Sequence, residues 1–396
     1  MPKFLSWLVS RNRALARPAS RLASLWRQWP WVCPRGTIAS ATAWIDRANR
    51  HRDWYARQRA DAWIERYAAG HRAYPLPAGV TGPTAVHFRR CELMQWPAAR
   101  VHVFDGADLY GDAGVVLSRN NRVFAEFYHT FSTKPLVATD VFKPFRALDS
   151  WPRREPATVA LLASPECENH YHWVFDVLPR VHLLEPFFGQ IEKFAVPAAL
   201  SAAQRESLAL AGIGEDRLLG LQPRERLRCA RLLVPSLPGC EGATPDWAIA
   251  YLRRTFAADA KPSAARKLYV ARGAGSARPV LNDSEICTHL ERRGFTIVHG
   301  AGMGFADQVA LFRDASVVVG AHGAGFTNTV FSPHCTLVEL CSPEYFRPQV
   351  FWTLARACGH DYGWWMDDET TKTGSAPYGA IRVPLATLDQ LLSFIA

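Results

Sequence analysis

VVVGAHGAGFTNTVFSP, Val317 to Pro333, decides how the chain is read. The run Ser316 to Val319 has the character of a strand buried on both faces, because β-branched residues suit a pleat and nothing polar interrupts them. Three glycines and His322 then gather at its carboxyl end, ahead of Thr327 and Asn328. In an open α/β sheet ligands bind at that edge, where glycine lets backbone N–H groups approach a phosphate and a following helix offers its positive end. A phosphate or sugar-nucleotide is the first expectation. A tight strand-to-helix turn with no ligand would use the same glycines.

Working outward, the order is regular: RKLYVAR as strand, NDSEICTHLERRG as helix, FTIVHG as strand, GFADQVALFRDA as helix, then the glycine stretch and the strand TLVEL. Alternation of this kind predicts a parallel sheet covered by helices, a Rossmann-like unit. Upstream, Pro235 to Pro245 has linker composition, and Thr244 is placed to cap a helix that takes Pro245 at its first position. The first half reads as a helix over Thr42 to Ala69, a β-meander from Val86 to Phe131, a buried strand Ala157 to Ser164, and a helix in which Trp173, Val177, Val181 and Leu184 share a face. Pro179 must kink or interrupt that helix. The chain of 396 residues thus divides into a tail (1–37), a first α/β domain (38–239) and a Rossmann-like second domain (240–396).

Composition bounds the function classes. Hydrophobic residues make up 48% and aromatic residues 12%, enough for sizeable cores. The formal charge is +10, and its excess is concentrated early: the first carboxylate is Asp46. The leading segment mixes Trp7, Leu8, Leu22, Trp26 and Trp29 with Arg11, Arg13, Arg17 and Arg21 and is broken at Pro18. Its apolar runs fall short of the roughly 20 residues that span a bilayer. It reads as a basic amphipathic tail for an anionic membrane surface, each Lys or Arg contributing roughly 1 kcal/mol. A cytoplasmic protein peripheral at the inner face of the membrane is the expectation. No nucleic-acid motif accompanies the charge. The nine cysteines form no C-x-x-C and no metal-ligand spacing, as reduced thiols would.

Three polar clusters stand out. One is His322, Gly323, Ala324 and Gly325 with Asn328. A second is Arg272 at the end of LYVAR, followed by Arg278 and Asn282; two strand ends of one parallel sheet open onto the same edge, so arginine and glycine nest can converge on a diphosphate. Glu339 stands at a third such edge, where a carboxylate can accept both hydroxyls of a ribose. The last cluster, Asn169, His170, His172, Trp173, Asp176 and Arg180, belongs to the first half. His172 and Asp176 are four apart and face one side of a helix; two ligands alone do not make a metal site.

The strings NHYHWVFDVLPR, YVAR…ARPVLND and DQVALFRDASVVVGAHGAGFTNTVFSP…LVEL, in this order, resemble glycosyltransferase family 61, which includes bacterial capsular-polysaccharide biosynthesis proteins. The resemblance runs from about Phe104 to Tyr362, and Phe326 departs from it where a smaller aliphatic is usual. It implies a GT-B fold, two Rossmann-like domains facing a cleft, and inverting transfer of a sugar from a nucleotide-sugar donor to a glycan or lipid-linked glycan acceptor. Arg272, Arg278, His322, Gly323, Ala324, Gly325 and Asn328 would then form the donor side, with His172 and Asp176 facing them as acid–base residues. No Asp-x-Asp occurs in the chain, so no metal or other cofactor is expected, and arginines and backbone N–H groups must meet the charge of the leaving diphosphate. The rivals are a hydrolase, which lacks its G-x-S-x-G elbow; a nicotinamide enzyme, for which HGAGMGF has the wrong glycine spacing; and a non-catalytic nucleotide-sugar or polysaccharide-binding protein.

Overall fold

The computed structural model describes residues 36–50, 62–77, 80, 82–128, 142, 152–239, 242–258, 265–272, 278–367 and 377–393. The basic tail expected over 1–37 lies almost entirely outside them. Two sheets organise the chain. The first contains β1 (Thr37–Ile38), β2 (Ala62–Tyr67), β5 (Ala99–Asp105), β6 (Asp108–Tyr110), β7 (Val115–Leu117), β8 (Val123–Phe124), β9 (Arg153–Leu161), β10 (Lys193–Pro197), β11 (Leu218–Leu221) and β12 (Arg226–Pro235). Between β2 and β5, β3 (Gly70–Ala73) and β4 (Leu93–Trp96) pair with each other. The second sheet contains β13 (Arg266–Val270), β14 (Phe295–Val298), β15 (Ala315–Ala321), β16 (Thr336–Cys341) and β17 (Asp361–Met366).

The second sheet is parallel throughout, as the βαβα pattern predicts, and its order is β14-β13-β15-β16-β17. Its strands alternate between two apolar layers. Tyr269, Val317, Val319, Val338 and Leu340 pack with Ile286, Leu290 and Leu388 of two covering helices. Leu268, Val270, Val318 and Leu337 face the other way, toward the first half. That second layer is one continuous core: it joins Val101, Leu162, Trp173, Phe175 and Leu178 to Phe305, Phe326 and Phe351.

The first half departs from a purely parallel unit. Strands β9 to β12 run parallel to one another, whereas β5 and β6 pair antiparallel with β12, and β2 with β5. The helix expected over Thr42 to Ala69 is shorter: it spans Ala41–Arg50, and Ala62–Tyr67 is a strand. AWIERY extends because β5 offers it a ladder, and Trp63 Nε1 donates to Asp46 at 2.9 Å, fastening the strand to the helix before it. Thr244 does not cap its helix. Pro245 takes the cap position of Asp246–Phe256 without a side-chain bond, and the Thr244 side chain meets the Tyr171 phenol instead.

Pro179 acts through a change of helix type. His170–His172 is α-helical, Trp173–Val177 forms a π turn in which the Leu178 N–H reaches the Trp173 carbonyl, and Leu178–Leu184 resumes as α-helix. Proline has no N–H for the carbonyl four residues back and its ring collides with it, so a widened turn relieves both problems. The helix then delivers Arg180, 1% exposed, to the carbonyls of Leu162, Ala163 and Pro235 at 3.0–3.2 Å. Burial pushes this guanidinium down to about 10, still charged at neutral pH. The seven described cysteines are free, and burial raises all of their thiols. No helix among the described residues is long and apolar enough to cross a membrane.

Arg180→Met would leave three buried strand-end carbonyls without donors. A loss of about 2–4 kcal/mol is expected, read as a lower denaturant midpoint, since unmet buried polar groups cost about 1–3 kcal/mol each and water entry recovers part. An unchanged midpoint would show that Arg180 does not hold β9 and β12 together.

Candidate active site

In the second sheet the chain runs from β13 outward to β14 and then returns to the other side with β15. That reversal is a topological switch point, where loops after adjacent strands diverge and leave a crevice at their carboxyl ends. Arg272 follows β13 there, and His322 and Gly323 follow β15. The glycines are required by contact rather than by backbone angle. Gly323 is extended, with φ 178°, and a Cβ on it would lie 2.3 Å from Arg272 Nη1. A Cβ on Gly325 would lie 2.7 Å from Val270 Cγ1, and one on Gly320 2.8 Å from the Val270 carbonyl. The loop is therefore moulded onto the end of β13 and onto its arginine.

Arg272 is held by its own backbone: its N–H donates to Asp283 at 3.1 Å, and its Nε donates to the Arg278 carbonyl at 3.2 Å. Burial lowers its pKa, and the charge of Arg278 adds to the shift. Ala324 begins the short 3-10 helix Ala324–Phe331, which has no side-chain cap at its start. Asn328, within it, is committed to linking the two halves. Its Oδ1 accepts from His170 Nε2 at 2.8 Å and its amide donates to Gln308 at 2.9 Å. Burial depresses the pKa of His170, which keeps it neutral.

Two expected donor residues have their polar atoms engaged within the protein. Asn282 clamps the segment after β17: its amide donates to the Val383 carbonyl at 2.8 Å and its oxygen accepts the Val383 N–H at 3.1 Å. Glu339 is fully buried, and its two oxygens accept from His322 Nδ1 and from the Tyr362 hydroxyl. Neither oxygen is turned to a ribose. Strand alternation carried that signal, since Leu337, Glu339 and Cys341 share a face of a central strand, where a carboxylate must be paired.

His172 and Asp176 come together as their spacing predicts. His172 Nδ1 donates to Asp176 at 2.7 Å, and its Nε2 stands 3.5 Å from Glu166. Glu166 carries no sequence signal; it is a non-glycine residue at φ 60° in the loop that leads into the helix. Phe351 joins this cluster to the glycine loop. Its ring lies 5.0 Å from His322, 5.3 Å from Phe326 and 6.2 Å from Tyr171, whose ring meets His172 edge-on at 5.4 Å. A cavity of about 560 Å³ opens between the halves beside Gly325, lined among others by Glu168, His170, Glu206, Met303 and Phe305. Among the described residues, no group of three or more His, Cys, Asp or Glu is placed to hold a metal ion.

Both polar clusters fall inside one matched region. Residues 170–338 match the Glycosyltransferase 61 family model. This is narrower than the resemblance read from the sequence, yet it contains His172, Asp176, Arg272, Arg278 and the whole glycine loop. A stretch of 78 residues is 42% identical to the beta-1,2-xylosyltransferase of Arabidopsis thaliana. That stretch is 19% of this chain and spans 14% of the plant protein's length. The family-model match thus spans the stretch that carries both the His172–Asp176 pair and the glycine loop.

Behind the loop, His360 Nδ1 accepts the Cys335 N–H at 3.2 Å while its Nε2 donates to the Thr329 carbonyl at 2.9 Å. This arrangement needs a neutral ring, and burial pushes its pKa down to about 4. Between about 6.5 and about 4 the unfolded chain therefore binds a proton that the folded chain does not, and stability falls as pH falls through that window, by up to about 3 kcal/mol. His170 acts in the same direction. Denaturant midpoints measured from pH 7 to pH 4.5 should decline, and His360→Gln should flatten part of that slope.

Proposed function

We propose that the protein is an inverting, metal-independent glycosyltransferase with a GT-B-like arrangement, moving a sugar from a nucleotide-sugar to a glycan acceptor. The observation that carries this reading is the match to family 61 across both polar clusters, one on each half of the chain. The donor diphosphate lies at the switch point, where Arg272 crosses the glycine loop at Gly323. Arg278 and His322 stand beside it, with the backbone from Gly323 to Gly325 within reach of phosphate oxygens. Asn282, Asn328 and Glu339 support the site from behind: Asn282 fixes the segment at Val383, Asn328 joins the halves, and Glu339 orients His322.

In the transfer step an acceptor oxygen attacks the anomeric carbon from the face opposite the diphosphate. The new C–O bond forms as the bond to phosphate breaks; the electron pair leaves with the diphosphate and the hydroxyl proton passes to the base. The proton passes to the His172–Asp176 pair, in which the carboxylate orients the ring, the division of labour of a His–carboxylate pair. Arginines and backbone N–H groups receive the negative charge that develops on the leaving group. A non-catalytic binder would leave the His172–Asp176 pair without a task.

The wider setting is inferred from the chain's own composition. Residues 38–239 form the acceptor side and 240–396 the donor side, and the basic tail brings the enzyme to an anionic membrane where a lipid-linked acceptor is presented. Surface or capsular polysaccharide synthesis at the inner face of the cytoplasmic membrane fits that arrangement. The xylosyl specificity named for the plant relative makes a pentose donor a substrate to include in any panel.

His172→Ala and Asp176→Asn should each lower turnover at saturating donor by more than about tenfold with little change in donor affinity, the usual scale for losing a general base. Arg272→Ala should do the reverse, weakening nucleoside diphosphate binding by roughly 1.5–3 kcal/mol, the worth of a charge-assisted hydrogen bond. Turnover that survives both first changes would move the base elsewhere. Activity that is lost in EDTA and restored by Mn²⁺ would overturn metal independence.

A further inference from the structure

Arg347 drew no attention in the sequence, yet it stands at the same sheet edge. It follows β16 and occupies the cap position of the helix Pro348–Cys358, which begins with proline and has no side-chain cap. Its guanidinium carbon lies 5.3 Å from the centre of the Tyr345 ring. Arg278 lies over the same ring at 4.1 Å, and His322 meets that ring at 5.1 Å. With Arg272 bonded to the Arg278 carbonyl, one tyrosine and one carbonyl collect three arginines around the glycine loop.

Several other arginines among the described residues are neutralised by carboxylates. Arg226 and Arg228 share buried Asp108, Arg100 pairs with Glu65, and Arg153 pairs with Glu225. Among the described residues Arg272, Arg278 and Arg347 form no ion pair with any carboxylate. Arg278 Nε is buried without a hydrogen-bond partner. Guanidinium groups held together in partly buried surroundings repel, and they persist where a polyanion relieves the repulsion. Three guanidinium groups gathered on one ring and one carbonyl present more positive charge than a single phosphate would meet, and two linked phosphates match it better.

We propose that Arg347, positioned with Arg278 on the Tyr345 ring, is a third cation for the donor diphosphate. The inference rests on reading the switch point as the donor site, and it adds that the charge of the leaving group is shared by three guanidinium groups drawn from two strand ends. Tyr345 sets the separation of two of them through cation–π contact and touches no phosphate in this scheme.

Inorganic pyrophosphate isolates the charge from the base and the sugar. Pyrophosphate and inorganic phosphate would be titrated by calorimetry into the full chain and into Arg347→Ala, Arg347→Lys and Arg272→Ala, with melting curves confirming the fold of each. Arg347→Ala should weaken pyrophosphate about tenfold and phosphate much less, and Arg347→Lys should recover part of the loss because it restores the charge without the fork. If Arg272→Ala weakens pyrophosphate and Arg347→Ala leaves it unchanged, the assignment of Arg347 falls while the donor site stands. If neither substitution changes binding, or the unaltered protein binds no pyrophosphate, the donor-site reading falls as well.

Discussion

One apolar layer shared by the two sheets governs where every functional group can stand. Trp173, Phe175 and Leu178 from the first half and Phe326, Val330 and Phe351 from the second are buried in a single cluster. Burial of a large side chain contributes roughly 1.5–3 kcal/mol, so a seam made of this many aromatic and aliphatic residues fixes the halves against each other. The polar residues are pushed to the rim of that seam. His170 and His172 leave the helix on one side of it and the glycine loop approaches from the other. The His170–Asn328 bond and the Phe351 ring link the two.

Legibility in the sequence followed the range of the forces involved. The second sheet could be read because each strand is a short apolar run and each helix brings its own start signal, both properties of neighbouring residues. The His172–Asp176 contact could be read for the same reason. Ala62–Tyr67 could not, since nothing local separates AWIERY from the helix before it and only pairing with β5 makes it a strand. The edge strand β17, DYGWWM, escaped because a glycine interrupts its apolar run. Glu166, Tyr345 and Arg347 belong to loops that meet the site only once the sheets have formed. The partners of Glu339, His322 and Tyr362, meet it only across neighbouring strands.

The electrostatics of the two clusters contrast. On the first half the imidazole is flanked by carboxylates, Asp176 at one nitrogen and Glu166 near the other. At the sheet edge of the second, Arg272, Arg278 and Arg347 gather without a carboxylate ion pair among the described residues. A substrate that is anionic at one end and carries neutral hydroxyls at the other is drawn into one orientation by such a field, before any close contact forms.

The π turn before Pro179 carries a consequence for the length of the chain. A π turn is an α-helix with one residue inserted, and each residue of an α-helix advances the side chains by about 100°. Everything after Val177 therefore points where it does because one residue of Trp173–Val177 is in excess of the helical count. Removing a single residue there would yield a more regular helix and swing Arg180 out of its ring of carbonyls while His172 kept its place. The segment is thus intolerant of length change for a reason of rotation: the surplus residue keeps the turn that carries His172 in phase with the turn that holds the sheet through Arg180.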